Sequence, residues 1–564
     1  MPEHKNNNTN NTSPQSDQES HHTPEWILEK QEQRQQQTFF YILLGSTVLL
    51  VVAVIALLLI LQTKNTATIE KKNTLLNNQA SLSVEEIQES AEMTFVVTVP
   101  KNTPKNDIIY IYFPNETEFQ LERQEDGTHS RTFTQSEVPL EQYKDELQAK
   151  YRYGRNGTDF ITAEYLEPDT NDYFWTTLGR HAPWVPGETV EDVVTRWRWL
   201  PAPEQKPETQ LRLALDTKFE PRIDEKTFYS GQAIQDLYMK GFEDFFTSTA
   251  EHMADQGYNS VTITPPWDWV ETSPPAVGNP VEKNPNYTDE QLRNELKALK
   301  AAGLSIQMGP QVCCTELETR DQTKEWWDSY FKGIEEMLVH HAIIAQEEGV
   351  DSLFYAFGDQ FDIEVYTPEE VEQRWRSIIQ AVRDNFKGEI HQMLWVNSTG
   401  LAMTAFPDTT LLPWINELDG IVLHVDAPIS TAPNPTDEEL QEGAKEITDL
   451  AEQLYKDTGK TTSLLTVYAA VKQTWEGNEL YSIEVMNAPW GGEDEWQKGR
   501  LAFSGNDQAR VLHAFMQEVA NAPHITGAAN FGYWHWDMPL SPDMSVRGKP
   551  AEAILNQWNK KIFN

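Results

Sequence analysis

Cysteine is nearly absent from this 564-residue chain, and its two cysteines, Cys313 and Cys314, are neighbours. Adjacent residues of a strand point to opposite faces, so the two thiols are badly placed for an ordinary disulfide. Two ligands alone do not complete a metal site. The sequence therefore predicts neither a disulfide framework nor a cysteine-based metal centre.

Basic residues are also scarce, with 45 Lys and Arg against 87 Asp and Glu and a formal net charge of -42. Such a chain repels nucleic-acid phosphates, so no nucleic-acid partner is predicted. The acidic residues are spread along the chain, which is typical of a well-solvated surface. No Gly-rich phosphate loop and no Gly-x-Ser-x-Gly motif occurs, and no cofactor is predicted.

Long apolar runs are missing except for one, Thr38 to Gln62, which has no charge between Arg34 and Lys64. Roughly 20 apolar residues span a bilayer, and a cleavable signal peptide would have a shorter apolar region that ends in small residues. The run predicts an uncleaved, single transmembrane helix at residues 38–62. A disordered polar tail, residues 1–37, precedes it, and a polar stalk, residues 63–91, follows it.

The charges that flank this helix do not set its orientation. Lys30 and Arg34 lie on one side, and Lys64, Lys71 and Lys72 lie on the other, so the positive-inside rule does not decide between the two orientations. A short tail inside and a folded acidic body outside is the ordinary arrangement of a signal anchor. We expect a single-pass protein of the cell membrane whose C-terminal domains lie outside the cytoplasm.

From Glu92 the pattern changes to short alternating strands separated by turn residues such as Asp126-Gly127 and Asn156-Gly157. This pattern predicts an all-β sandwich over residues 92–200. A Pro-rich linker is predicted over residues 201–226.

The predicted sandwich resembles the starch-binding carbohydrate modules found beside amylases. The resemblance lies in Phe95-Val-Val-Thr-Val-Pro-Lys-Asn-Thr-Pro, Tyr151-Arg-Tyr-Gly-Arg-Asn-Gly and Val193-Val-Thr-Arg-Trp-Arg-Trp. It implies sugar binding by this module. The tryptophan that stacks on the ligand in that family has no clear counterpart here, Phe160 being nearest, so a spacer or structural role is the alternative.

Strand and helix patterns then alternate over residues 227–564. Eight such units predict a (β/α)8 TIM barrel, because a doubly wound sheet of eight strands would normally form two domains. The predicted strands fall near residues 228–237, 260–264, 305–311, 352–358, 391–397, 420–426, 463–468 and 526–536. Ligands meet such barrels at the carboxyl ends of the strands, so the side chains there are the candidate site.

Tryptophans and carboxylates crowd these strand ends. A neutral polyhydroxy ligand needs both, since aromatic faces cover its ring while acids bind its hydroxyls and protonate a leaving oxygen. The predicted substrate-binding residues are Trp267, Asp268, Trp269, Gln311, Gln360, Trp395, Tyr468, Trp534, Trp536 and Asp537. For the tryptophans at 267, 269, 534 and 536, packing in the core is the alternative.

The barrel resembles the retaining glycoside hydrolases that include bacterial β-mannanases. The resemblance lies in Tyr238-Met-Lys-Gly-Phe, Met253-Ala-Asp-Gln-Gly-Tyr-Asn-Ser-Val and Ala345-Gln-Glu-Glu-Gly-Val-Asp. In that family a Glu in Gly-x-Glu ends strand four as the acid/base, and strand seven carries a nucleophilic Glu. This chain has Gln360 at the first position and no acid in Val467-Tyr-Ala469. The resemblance implies a glycosidase acting on poly- or oligosaccharide, and the departures leave open a non-catalytic glycan-binding barrel or a surface scaffold.

Two aspartates are the candidate catalytic pair: Asp359 after strand four and Asp426 after strand six. One would attack or activate water, while the other, its pKa raised by an apolar surround, would donate a proton. The competing interpretation is that Asp359 caps the following helix or pairs with a basic residue. The pairs His424-x-Asp426 and His535-x-Asp537 lack a third convergent pair, so no metal is predicted.

Overall fold

The computed structural model describes residues 92–563, apart from 115–116, 144–145, 158–160, 168–178, 206–210, 212, 235–240, 279–287, 314–322, 359–362, 364, 398–399, 403–411, 480–492 and 494–501. The predicted tail, transmembrane helix and stalk lie outside the described residues, as do Phe160, Asp359 and Gln360. Within the described part of the chain, no helix combines the length and the apolar character needed to cross a bilayer.

Residues 92–193 form two sheets that share one core. Their strands are β1 (Glu92–Thr98), β2 (Ile109–Phe113), β3 (Thr117–Gln120), β4 (Glu122–Arg123), β5 (His129–Thr134), β6 (Leu140–Tyr143), β7 (Glu146–Arg155), β8 (Arg180–Pro183) and β9 (Thr189–Val193). One sheet has the order β4-β5-β1-β9, and the other has the order β3-β2-β7-β6 with β8 on β7. We call residues 92–200 the N-terminal module.

Alternating side chains of β1, β2, β5 and β7 fill this core. The rings of Phe95 and Phe113 each meet Phe133 edge to face, with centroids 5.8 and 5.5 Å apart. Tyr151 and Tyr153 are buried, and their hydroxyls donate hydrogen bonds to Asp192 at 2.8 and 3.0 Å. The Tyr-Arg-Tyr run that resembles starch-binding modules therefore holds the interior of the module together, and sugar binding by the module stays a prediction.

Eight parallel strands close into a barrel, and four short strands extend it. In chain order they are β10 (Tyr229–Ile234), β11 (Ser260–Ile263), β12 (Pro266–Thr272), β13 (Pro275–Gly278), β14 (Ser305–Met308), β15 (Gln311–Cys313), β16 (Ser352–Tyr355), β17 (Glu389–Asn397), β18 (Gly400–Ala402), β19 (Gly420–Val425), β20 (Thr461–Thr466) and β21 (Ile525–Tyr533). The barrel closes because β10 pairs with both β11 and β21, and β16 pairs with both β14 and β17. The predicted (β/α)8 barrel is confirmed.

Helices connect the barrel strands. The α-helices among the described residues are α1 (Phe246–Asp255), α2 (Asp289–Ala301), α3 (Lys324–Glu348), α4 (Pro368–Asn385), α5 (Asp437–Thr458), α6 (Gly505–Asn521) and α7 (Pro550–Phe563). Capping boxes start α2, α4 and α5 at Thr288, Thr367 and Thr436, where each threonine side chain and a Gln or Glu three residues on satisfy backbone N–H groups. These signals are local, which explains why the helix starts follow from sequence.

Inside the barrel, an apolar layer crosses the middle of the strands. Ala233, Phe354, Val422 and Leu465 form it, with Met393, Ala529 and Phe531 packed against them. A Cβ atom on Gly309 would lie 2.1 Å from the ring of Phe354, so this position must be glycine for the ring to cross the barrel. The apolar layer separates the two ends of the barrel interior.

The module and the barrel belong to one compact unit, Ser90–Asn564. Arg155 of the module forms a buried ion pair with Asp107, and it donates a hydrogen bond to the carbonyl oxygen of Asp537 at 3.2 Å. The backbone N–H of Trp199 donates to the carboxylate of Glu493 at 3.1 Å. The side chain of Trp199 is fully buried in the same core cluster as the barrel. Continuous buried contacts thus join the two parts.

The end of the predicted linker is also tied to the barrel. The Arg222 guanidinium donates hydrogen bonds to the carbonyl oxygens of Val519, Ala522 and Ile525 at 3.0, 2.7 and 2.9 Å. These carbonyls lie between the end of α6 and the start of β21. The guanidinium therefore fixes the entry of the chain into β10 at the amino end of the barrel.

Candidate functional site

A cavity of about 300 Å³ lies at the carboxyl end of the barrel strands, above the apolar layer. We call it the upper cavity. Its lining includes the aromatic side chains Trp269, Tyr330, Tyr355 and Trp395, together with Gln311 and His424. This is the face where TIM barrels bind their ligands, and the lining combines aromatic and aliphatic side chains with a few polar ones, as small-molecule sites do.

One aromatic wall of the upper cavity comes from the extension of β11 into β12. Trp269 on β12 stacks on Tyr330 of α3, with ring centroids 5.4 Å apart and planes inclined by 27°. Trp267, two residues earlier on the same strand, packs against His340 and His341 of α3 with centroids 4.9 and 5.3 Å apart. Trp269 lines the cavity, whereas Trp267 is buried against α3 and does not line it.

The opposite wall comes from β17 and β19. Trp395 and His424 are paired residues of these neighbouring strands, and both line the cavity. Burial lowers the pKa of His424 to about 4, so its imidazole is neutral at pH 7. Its Nδ1 has no hydrogen-bond partner among the described residues. A neutral imidazole that lines the cavity can donate or accept one hydrogen bond to a ligand hydroxyl.

Asp426 follows β19 directly, two residues beyond His424. Its backbone N–H donates to the carbonyl oxygen of Val396 at 3.1 Å, which continues the strand ladder and favours the same inward side as His424. Only 8% of the residue is exposed, and burial raises the pKa of the carboxyl to about 6. A carboxyl group with this pKa can hold a proton near neutral pH and release it to a leaving oxygen.

The predicted site residues divide into three groups. Trp269, Gln311 and Trp395 meet in the upper cavity. Asp426 lies at the end of the same barrel face but is not part of the cavity lining. Asp359 and Gln360 lie outside the described residues, so the predicted carboxylate pair stays a prediction. The remaining predicted residues do not line the upper cavity: Trp267, Asp268, Tyr468, Trp534, Trp536 and Asp537.

Tyr468, Trp534 and Trp536 occupy core positions. The hydroxyl of fully buried Tyr468 donates to the carbonyl oxygen of Ala427 at 2.6 Å. Trp534 and Trp536 are each 2% exposed, and the ring of Trp536 meets Phe242 and Phe245 edge to face at 5.1 and 5.5 Å. These indoles have no open face for a sugar ring, so core packing describes their position, and substrate binding by them stays a prediction.

A buried network fixes the chain after β21. The carboxylate of Asp543 accepts hydrogen bonds from Trp534 Nε1 at 3.0 Å, from Ser541 Oγ at 2.6 Å and from Lys549 Nζ at 2.6 Å. Burial lowers the pKa of Lys549, while Asp543 opposes that shift. The ion pair compensates both charges inside the protein.

Asp537 has a structural partner as well. Its carboxylate accepts a hydrogen bond from Arg547 Nε at 2.9 Å, and its carbonyl oxygen accepts from Arg155 of the module. It therefore lies at the junction of the module and the barrel and away from the upper cavity.

The sequence did not identify Tyr330 and Tyr355 as cavity residues, and it assigned no sugar-binding role to His424. Tyr355 ends strand β16, whereas the sequence predicted that this strand continues to residue 358, so Tyr355 was not recognised as a strand-end residue. Tyr330 belongs to the apolar stripe of α3, and such a stripe predicts core packing. Only the fold shows that this stripe also borders a cavity. Among the described residues, no group of three or more His, Cys, Asp or Glu side chains is placed to hold a metal ion.

Part of the chain is similar to a known protein family. Residues 246–458 match the family model of Glycoside Hydrolase Family 113, which is less than half of the chain. No curated protein sequence matches the chain significantly.

Two solved structures illustrate the range of similar barrels. The family 113 β-mannanase AaManA from Alicyclobacillus acidocaldarius is 16% identical, over 60% of this chain and 98% of that chain, with a TM-score of 0.44. The endo-β-1,4-mannanase from Thermotoga petrophila is 13% identical, over 60% of this chain and 77% of that chain, with a TM-score of 0.39. The strand pairing and the family match together make this a glycoside hydrolase-like barrel, as the sequence predicted.

Proposed function

We propose that the chain is a membrane-anchored glycoside hydrolase-like protein that cleaves poly- or oligosaccharide outside the cytoplasm. The match of residues 246–458 to a glycoside hydrolase family carries this proposal, because this part of the chain supplies most of the lining of the upper cavity. The apolar run at residues 38–62 supports the anchor.

In this proposal the saccharide lies between the aromatic walls of the upper cavity. Trp269 and Trp395 cover the apolar faces of its rings, while Gln311 and His424 bind its hydroxyl groups. A ring held between two aromatic side chains loses little further freedom on reaching the transition state. This arrangement would position the glycosidic oxygen near the carboxyl ends of β16 and β19.

Asp426 is the proposed proton donor. Burial raises its pKa to about 6, so a fraction of the molecules carries the proton that a leaving glycosidic oxygen requires at neutral pH. The second carboxylate in this proposal is Asp359, which follows Gly358 after strand four and would attack the anomeric carbon or activate water. The separation of the two carboxyls decides between retention and inversion.

A second candidate function is glycan binding without cleavage. The observation that favours it is the chemistry of two strand ends, where Gln360 and Val467-Tyr-Ala469 stand in place of the glutamates of the similar glycosidases. The upper cavity would serve this function equally well, because its aromatic walls bind sugar rings without any proton transfer.

Incubation with a panel of polysaccharides tests both functions. The full chain is incubated with β-mannan, galactomannan, amylose, mixed-linkage β-glucan and xylan, and new reducing ends are measured together with sedimentation of the protein with each polymer. Cleavage of at least one polymer that is lost in Asp426→Asn supports the glycosidase. Binding without new reducing ends supports the glycan-binding barrel, and neither result on any polymer contradicts both proposals.

A further inference from the structure

A second cavity lies inside the barrel at the amino ends of the strands, on the other side of the apolar layer. Its volume is about 300 Å³, the lower end of the ~300–1,000 Å³ range of small-molecule sites. We call it the lower cavity. Leu465 belongs to the apolar layer and lines both cavities. The two cavities are therefore separate spaces that share one apolar partition.

Most of the residues that line the lower cavity have polar side chains, whereas barrel interiors are usually apolar. The inner layers of TIM barrels are filled mainly by Val, Ile and Leu. Here Thr262 of β11, Gln307 of β14, His391 of β17 and Ser463 of β20 line the space instead. Polar groups that are removed from water cost free energy unless they are hydrogen-bonded. A layer of this composition needs a polar occupant, either water or a ligand.

A chain of hydrogen bonds holds the side chains on one side of the lower cavity. Gln307 Nε2 donates to His391 Nδ1 at 3.2 Å, and His391 Nε2 donates to Glu389 at 3.0 Å. A Cβ atom on Gly420 would lie 3.1 Å from the ring of His391, so glycine at this position makes room for the imidazole. The orientation of this polar wall is set before any ligand arrives, which lowers the entropic cost of binding.

The charges at the opening of the lower cavity are compensated. Lys226 Nζ lies 3.9 Å from Glu389 Oε1, and Lys300 Nζ lies 3.2 Å from Asp351 Oδ2. Each cation therefore has a carboxylate beside it, and no excess of either sign remains to select a charged ligand. The opening favours a neutral compound.

Hydroxyl groups are the commonest polar groups of the lining. Ser260, Ser305, Ser352, Thr461 and Thr526 supply them in addition to Thr262 and Ser463. A hydroxyl both donates and accepts hydrogen bonds, which matches a ligand that is itself rich in hydroxyls. Ser463 Oγ is buried and has no hydrogen-bond partner among the described residues. The described side chains therefore leave its hydrogen-bonding capacity unused.

We propose that the lower cavity is a binding site for a small neutral polyhydroxy compound of the size of a monosaccharide or cyclic polyol. The apolar layer separates this site from the upper cavity. Ligand binding in the lower cavity does not depend on catalysis in the upper one. A volume of about 300 Å³ accommodates one molecule of this size, and the apolar layer closes the inner end of the cavity.

Calorimetry with D-mannose, D-glucose and myo-inositol tests this site. The full chain is used in a detergent without a sugar headgroup. Ser463→Leu fills the lower cavity, and Gln307→Met keeps the side-chain volume while it removes the hydrogen bond to His391. The matched control is Trp395→Ala, which alters only the upper cavity. We expect at least one probe to bind in the millimolar range, to retain its affinity in Trp395→Ala, and to bind at least about tenfold more weakly in both lower-cavity variants.

Two results would overturn the proposal. The first is that none of the three probes binds, which leaves water as the occupant. The second is that Trp395→Ala abolishes probe binding while Ser463→Leu retains it. If both lower-cavity variants fail to fold, protection of His391 from diethylpyrocarbonate by the bound probe in Trp395→Ala decides the question. A reaction of His391 that the probe does not slow contradicts the site.

Discussion

Trp395 and His424 lie side by side as register partners on adjacent barrel strands, with ring centroids 6.1 Å apart. Both line the upper cavity, and burial keeps the imidazole neutral by lowering its pKa to about 4. An aromatic face and an uncharged hydrogen-bonding ring thus stand side by side. This combination suits a sugar ring, which has an apolar face and hydroxyl groups at its edge.

Replacing Trp395 with alanine should weaken saccharide binding. The loss of one aromatic wall removes apolar contact worth about 1.4 kcal/mol or more, so we expect the affinity for the best polymer to fall at least about tenfold. Affinity electrophoresis in gels that contain the polymer measures this change.

The control for this experiment is Tyr455→Ala, which removes an aromatic ring from α5 and does not alter the lining of the upper cavity. It should leave polymer binding unchanged. Equal affinities of Trp395→Ala and the unmodified protein would show that the saccharide binds elsewhere.

Asp426→Asn should reduce turnover at least about a hundredfold if this carboxyl donates the proton. The substitution keeps the side-chain shape and removes an ionisable group from a buried position, so the melting temperature should not fall. Initial rates on the polymer with the highest turnover, divided by the folded fraction, give the comparison.

Asp419→Asn is the matched control at the opposite end of the same strand. Asp419 pairs with Arg383 and accepts a hydrogen bond from the backbone N–H of Ile390 at 2.8 Å. The control should lower the unfolding free energy by about 1 kcal/mol while turnover per folded molecule is kept. An Asp426→Asn protein with full activity would transfer the proton-donor role to another acid.

The raised pKa of Asp426 also predicts how stability depends on pH. The unfolded carboxyl titrates near 3.8 and the folded carboxyl near 6. Between these values the folded state binds more protons than the unfolded state, so the unfolding free energy falls as pH rises, by at most about 1.4 kcal/mol per pH unit from this group. The contribution is fully present below pH 4 and is lost above pH 6.

Urea unfolding of the wild type and of Asp426→Asn, measured from pH 4 to pH 7, tests this dependence. The difference in unfolding free energy between the two proteins should shift in favour of Asp426→Asn as pH rises, because the amide does not ionise. A difference that is the same at all pH values would show that the pKa of Asp426 is ordinary.

The ion pair of Arg155 and Asp107 should be important for the joint stability of the module and the barrel. Both side chains are buried, and Arg155 also binds the barrel through the carbonyl oxygen of Asp537. Replacing Arg155 with methionine leaves Asp107 as an uncompensated buried charge, so we expect a loss of about 3–5 kcal/mol. Scanning calorimetry should show a large decrease in melting temperature.

Lys445→Met provides the matched control, because Lys445 pairs with Asp449 on the exposed side of α5. Exposed ion pairs contribute little to stability because solvent screens them, so the melting temperature should change little. A similar small change in Arg155→Met would show that the buried pair is not needed at the junction.

Deletion of residues 1–64 should release the protein from membranes, since residues 38–62 are the one apolar run of the sequence that is long enough to span a bilayer. The full chain should pellet with membranes after a high-salt wash, and the shortened chain should stay in the supernatant. Membrane attachment of the shortened chain after the wash would contradict a single anchor.

The arrangement of barrel strands and helices could be predicted from sequence because its signals are local. Apolar alternation marks the strands, and Thr288, Thr367 and Thr436 mark helix starts through hydrogen bonds that span only three residues. The apolar run at residues 38–62 is a signal of the same kind. The proposed anchor rests on that run alone.

The roles of the individual tryptophans were decided by tertiary structure. The sequence predicts that both Trp395 and Trp536 lie near strand ends. In the structure Trp395 lines the upper cavity, whereas Trp536 packs against Phe242 and Phe245. Whether an indole meets a cavity or a helix depends on residues that are distant in sequence. No local pattern contains that information.

The sequence by itself determined the barrel, the acidic character and the position of Asp426 after strand six. Only the tertiary structure decided the raised pKa of Asp426, since desolvation depends on every element that packs around the carboxyl. The same holds for the lower cavity, because Gln307 and His391 are 84 residues apart in the chain and meet only when the eight strands close into a barrel. Periodicity specifies which face of each strand turns inward, whereas closure of the sheet specifies which inward side chains become neighbours.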